Sequence, residues 1–107
     1  MKLSRKQNGL VIARKGGIRC VGFHRWVVLG KEPYLVNLDG VQHCMCPDFA
    51  IRDIPYKRCK HIWAVLLSYH CYNCKKTWCP KRPKKEYKRC PSCRVDQLLI
   101  GYPRAWI

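Results

Sequence analysis

Nine cysteines and four histidines in 107 residues are the side chains here whose types and spacing can do chemistry. Cys44-x-Cys46 and Cys59-x-His61 form two close pairs. Tetrahedral zinc takes four N or S ligands, thiolates at ~2.3 Å and imidazole nitrogens at ~2.0 Å, and chains usually deliver them as two pairs from separate elements. Four such ligands with no spare carboxylate describe a closed structural site rather than a catalytic one with an open position. Further along, Cys71-x2-Cys74 and Cys90-x2-Cys93, fifteen residues apart, have the paired-knuckle spacing of a zinc-ribbon or treble-clef-like site. Cys79 lies between these pairs, beside a segment that also holds His70, and could replace one of the four; the spacing rule favours Cys71, Cys74, Cys90 and Cys93. Redox use of the CxxC pairs would call for a βαβ pattern, and none is visible. Two Zn²⁺ ions are therefore expected.

The ligands dictate the elements that must carry them. Residues two apart on a helix face nearly opposite ways, so Cys59 should precede a helix and His61 should lie in its first turn. Ile62, Trp63, Val65, Leu66 and Leu67 then give that helix, read from Lys60 to Tyr69, an apolar side. Cys44 and Cys46 suit the end of a strand, where alternate residues point to one side. Upstream, Cys20–Phe23, Arg25–Leu29, Tyr34–Leu38 and Val41–Cys44 are β-branched and aromatic runs, punctuated by Gly30-Lys31-Glu32-Pro33 and by the hairpin dipeptide Asp39-Gly40. A small antiparallel meander follows. Asp48 can cap a short turn of helix through Arg52, which Pro55 stops. The basic opening segment reads as a short helix or arm. Cys20, far from other cysteines in sequence, reads as a buried small apolar residue, and His24 and His43 as packing or surface residues rather than ligands.

The run Tyr34-Leu35-Val36-Asn37-Leu38, then Cys44-Met45-Cys46-Pro47-Asp48-Phe49, then Cys59-Lys60-His61-Ile62-Trp63-Ala64-Val65-Leu66-Leu67 resembles the SWIM zinc finger, a ββα unit with the pattern C-x-C-x(n)-C-x-H. The resemblance covers roughly residues 18 to 69. Met45 stands where the family often has a small polar residue, a position that carries no ligand. The expected fold class is α+β: a small antiparallel sheet plus helix, followed by a zinc-ribbon-like module. The expected organisation is a basic arm over 1–17, the finger over 18–70, and a ribbon-like module over 71–107 whose apolar end, Leu98 to Ile107, packs back on the body. The resemblance also implies DNA binding or protein contact as the job of such a module.

Composition narrows the class further. A core this small usually needs metals or disulfides, and the absence of a signal-like apolar run at the N-terminus argues for a reducing, intracellular setting in which cysteines are metal ligands. No apolar stretch approaches a bilayer span. The formal charge is +16, from 22 Lys and Arg against six acids. Seven thiolates and two Zn²⁺ would still leave about +13, a field that favours nucleic acid. Lys75, Lys76, Lys81, Arg82, Lys84, Lys85, Lys88 and Arg89 concentrate it between Cys74 and Cys90, with Trp78 and Tyr87 as stacking platforms or as core anchors of the ribbon. Arg52, Lys57, Arg58 and Lys60 form a second set beside the first metal site. The leading expectation is a non-enzymatic zinc protein that binds nucleic acid, DNA before RNA, through phosphate contacts. The runner-up is a protein-protein adaptor, for instance beside a RecA-like recombinase, with the helix and apolar tail as docking surface. Scattered acids and the lack of a nucleophile with a base at recognisable spacing argue against an enzyme.

Overall fold

Ser4 opens the first helix, α1 (Arg5–Arg14), in the computed structural model, which describes residues 4–30, 32–38, 42–47, 58–80 and 87–101. Its hydroxyl accepts the Gln7 N–H at 3.1 Å, and Gln7 Oε1 accepts the Ser4 N–H at 2.8 Å, so two donors at the helix start are satisfied reciprocally. The buried positions of α1 are small, Gly9 and Ala13. They allow close approach to a second helix, α2 (Lys60–Leu66): a Cβ on Gly9 would lie 2.6 Å from Trp63 Cβ and 2.8 Å from the Lys60 carbonyl oxygen. Lys6 Nζ and the Arg58 guanidinium sit 5.3 and 4.9 Å from the Trp63 ring centroid and reinforce the crossing. The basic opening segment is thus a docked helix.

The meander consists of β1 (Ile18–Gly22), β2 (Arg25–Val28), β3 (Tyr34–Asn37) and β4 (His43–Cys44), antiparallel and in sequential order. His24 takes a left-handed φ of 53° in the tight β1–β2 turn. Register places Cys20, Trp26, Val36 and Cys44 opposite one another, one row across all four strands. Trp26, Val36 and Cys44 are buried, whereas Cys20 is exposed. This corrects the expectation of a buried Cys20: it lies on the inward face, but at the rim where the covering helix no longer reaches. Among the described residues the buried Trp26 Nε1 has no hydrogen-bond partner. The Asp39-Gly40 turn and the helical turn after Asp48 fall outside the described residues.

Helix α2 ends at Leu66, short of the Tyr69 expected from its apolar pattern. Tyr69 and His70 instead form β5, paired with β6 (Thr77–Trp78), because a hairpin ladder takes the backbone groups a longer helix would need. A second hairpin joins β7 (Tyr87–Arg89) to β8 (Asp96–Leu98). The two hairpins meet through a Tyr69–Leu99 bridge, and the Ile100 and Gly101 N–H groups donate to the Ser68 and Leu66 carbonyls at 3.0 Å each. Tyr69 and Leu99 are buried in the same core as Trp26, Val28, Ile62 and Val65, and Trp78 stacks on Tyr69 at 5.6 Å, so the aromatic serves as an anchor. The chain end thus packs back as far as Gly101; residues 102–107 lie outside the described set. The fold is α+β, as expected, and the arm, sheet, helix and first hairpin share one core.

Candidate metal centres

At the first centre, β4 delivers Cys44 and the chain just past it delivers Cys46, while α2 is capped by Cys59 and carries His61 in its first turn. Cys59 is extended (φ −75°, ψ 173°), which turns its side chain back toward the strand end while His61 reaches in from the helix. All four ligand atoms lie within 4.8 Å of one another and all four residues are buried. His61 presents Nδ1, 3.8 Å from Cys44 Sγ and 3.9 Å from Cys59 Sγ. A tetrahedron with ~2.3 Å Zn–S and ~2.0 Å Zn–N arms has S···N edges of ~3.5 Å, so the donor set fits Zn²⁺ with a few tenths of an ångström of contraction. The far side of the imidazole meets Tyr34, with ring centroids 4.7 Å apart. The hydrogen bond from Cys44 to Cys59 raises the Cys44 thiol and lowers Cys59 to about 4, with the Ile62 N–H and His61 also favouring its thiolate. Within the cluster the thiolate, the form that binds a cation, is thus favoured at Cys59.

The second centre has a different construction. Cys71 and Cys74 sit in the turn of the β5–β6 hairpin, and Cys90 and Cys93 in that of β7–β8. The turns are near copies. The Lys75 N–H donates to the Cys71 carbonyl at 2.7 Å and the Cys71 N–H to the Lys76 carbonyl at 2.8 Å; Arg94 N–H to Cys90 carbonyl and Cys90 N–H to Val95 carbonyl repeat this at 3.0 and 2.9 Å. Lys75 and Arg94, each just after the second cysteine, take left-handed φ values of 66° and 61°. The sulfurs pair across the hairpins, Cys71 with Cys93 at 3.1 Å and Cys74 with Cys90 at 3.5 Å, all as free cysteines. Cys71 and Cys90 are buried, Cys93 half-buried and Cys74 exposed. Burial opposes the Cys71 thiolate, but the Cys74 and Asn73 N–H groups and the Cys93 thiol bring it down to about 6. For Cys74 the Lys76 N–H favours the thiolate, yet partial desolvation and the bonds to Cys90, Cys71 and Cys93 push it up to about 11. Four converging sulfurs suit a second Zn²⁺.

Cys79 stands apart from this set: its thiol donates to the Leu67 carbonyl at 3.4 Å, and burial pushes it up to about 11. The ligands are thus the spacing-favoured four. Sequence reasoning did not distinguish Nδ1 from Nε2 of His61, nor anticipate the left-handed residue after each knuckle, whose signal was simply its place behind a CxxC. His24 and His43 are exposed, in agreement with a surface role.

The basic residues divide. Lys75 and Lys76 are exposed on the first knuckle, Lys60 is exposed at the start of α2, and on β7 Lys88 is half-buried and Arg89 exposed. Arg89 reaches Asp96 at 3.7 Å, a surface pair of small energetic weight. Arg58 is held against Trp63, with its Nε donating to Gln42 at 3.2 Å, so it ties the chain just before β4 to α2. Lys81, Arg82, Lys84, Lys85, Arg52 and Lys57 lie outside the described residues. Among the described residues no helix is long and apolar enough to cross a membrane.

No curated protein and no solved structure matches the chain. Residues 34–70, about a third of the chain, match a family model, and that stretch runs from β3 to β5 and contains all four ligands of the first centre while leaving out α1 and the β1–β2 hairpin. That model is the SWIM zinc finger: the segment in which Cys44, Cys46, Cys59 and His61 converge between a strand end and a helix start is similar to it, and a second four-cysteine group that fits Zn²⁺ follows.

Proposed function

We propose that this chain is a zinc-stabilised nucleic-acid-binding protein, acting on DNA in preference to RNA and working by binding rather than by turnover. The observation that carries this reading is charge: 22 cations face six acids, so most cations have no carboxylate available within the chain. Two zinc centres of seven thiolates leave about +13, and like charges on so small a body repel until a polyanion neutralises them. Both centres have complete ligand sets, which suits metals that hold the scaffold. Exposed Lys60, Lys75 and Lys76 stand on rigid elements beside them, where phosphate contacts lose little entropy. DNA binding is also among the roles that the SWIM resemblance implies.

Salt titration tests this. The zinc-loaded protein is expected to bind DNA with log K falling linearly against log salt, and neutralising Lys81, Arg82, Lys84 and Lys85 together should lower both affinity and slope. A flat salt dependence, or unchanged affinity in that variant together with Lys75→Gln and Lys76→Gln, overturns the reading.

A further inference from the structure

Beside the β1–β2 turn the molecule has a cavity that neither metal centre uses. Its volume is about 640 Å³, within the range that accepts a small organic group, and it lies between the hairpin tip and the first knuckle. Trp26 and His70, each 1% exposed and set edge-to-face with centroids 5.1 Å apart, lie at its base. His70 continues edge-to-face to Tyr72 at 4.8 Å. Phe23 and Tyr72 form walls and remain 77% and 58% exposed, a large uncovered aromatic area for so basic a protein. A second, polar cavity of about 350 Å³ adjoins it, sharing Cys20 and Lys75 and adding Arg19, Lys76 and Thr77. Apolar rings thus stand next to three cations.

We propose that these two cavities form one nucleotide subsite, in which a base unstacked from a single strand enters between Phe23 and Tyr72 while its phosphate is held by Arg19, Lys75 and Lys76. Every base has a π-face, so aromatic walls accept any of them, and cations one sugar away hold the backbone. A duplex keeps its bases stacked and paired, so it can offer the site phosphate but no ring. An aromatic side chain of a protein partner would fill the first cavity but leave the cationic one unmatched, and charge complementarity therefore selects nucleic acid. The site deepens the nucleic-acid reading and rests on it, but it lies on the hairpin and knuckle rather than on the lysine-rich segment after Pro80.

The test is fluorescence anisotropy with single-stranded DNA and RNA of one sequence and with the matching DNA duplex, across a salt series, on the two-zinc protein. Phe23→Ala and Tyr72→Ala should each weaken single-strand binding about tenfold and leave duplex affinity unchanged. Phe23→Trp should restore it. Arg19→Gln with Lys75→Gln should reduce the single-strand salt slope by about one to one and a half. The DNA and RNA arms identify which sugar the site takes. Phe23 is the decisive position because it lies in a turn away from both sets of ligands, and zinc content and circular dichroism check that each variant is folded. If Phe23→Ala and Tyr72→Ala bind single strands like the parent while salt-dependent binding persists, the subsite is overturned and the general reading stands. If no nucleic acid binds at low salt, the general reading itself fails. Loss of a protein partner in Phe23→Ala with single-strand affinity intact also overturns the subsite.

Discussion

The two metal centres use the same ion to solve different problems. At the first, a strand end and a helix start bring buried Cys44, Cys46, Cys59 and His61 together inside a core that Trp26, Val36, Ile62 and Val65 already populate. At the second, two hairpin turns with near-identical hydrogen bonding close on each other, with Cys74 exposed and Cys93 half-buried. In the first the metal joins elements of different kinds, and the surrounding apolar side chains share the work. In the second the knuckles supply most of their own order, and the ion joins them at the turn end while the Tyr69–Leu99 bridge joins the hairpins at the other. The same contrast sets solvent access: water, chelators and oxidants reach the second cluster through Cys74 but meet a closed wall at the first.

The contrast is broken most decisively by removing one ligand at a time. Cys59→Ser should abolish cooperative unfolding and lower zinc content in native mass spectrometry, because a structural zinc in a small domain carries an apparent binding free energy of about 10–16 kcal/mol. Cys93→Ser should cost one zinc yet keep most of the far-ultraviolet dichroism of the sheet and α2. Equal collapse of both variants would show the centres to be one unit. Next in size is exchange. On addition of a chelator with a colorimetric readout, zinc should leave in two phases, with Cys74 and Cys93 alkylated during the fast one and Cys44 and Cys59 only during the slow one. A single phase removes the difference.

A smaller effect separates the fifth cysteine of the second region from its ligands. Cys79→Ala should leave two zincs bound. Its thiol is raised in the folded state to about 11 from an ordinary 9.0, so its neutral form contributes stability that is fully present below about pH 9 and lost as pH rises through about 11. The variant should therefore lose less stability over that interval than the parent, by about 1–2 kcal/mol once partial exposure is allowed for. The smallest effect tests the likeness of the knuckles. Arg94→Gly removes a non-glycine side chain at φ 61° and should change stability by less than about 1 kcal/mol, with the metal content intact. A larger loss would mean that the second knuckle depends on the arginine itself.

Much of the first centre was legible because a ligand pair separated by one residue has few ways to point both side chains at one ion. The second was legible because CxxC encodes its own turn. The helix end was not: the apolar side built from Ile62, Trp63, Val65, Leu66 and Leu67 reads on to Tyr69, and only the pairing of Tyr69 and His70 with Trp78 and Thr77, a non-local event, ends it. Cys20 shows the same limit. Strand alternation correctly puts it on the inward face, but whether that face is covered depends on where α2 stops. The role of Arg58 was also hidden, since a cation beside a helix start looks like an anion contact until Trp63 and Gln42 are seen to hold it. The cavity at Phe23 arises between segments about fifty residues apart, which no local pattern reports.

The row Cys20, Trp26, Val36, Cys44 has a consequence for how the protein reaches this structure. Side chains alternate along a strand, so a slip of one residue anywhere from β2 to β4 would swing Cys44 to the outer face, away from Cys59 and His61. A misaligned sheet therefore offers an incomplete cage and gains little from the ion, whereas the aligned one is captured. Metal capture acts here as a proofreading step, rewarding one strand alignment and leaving its neighbours to dissolve.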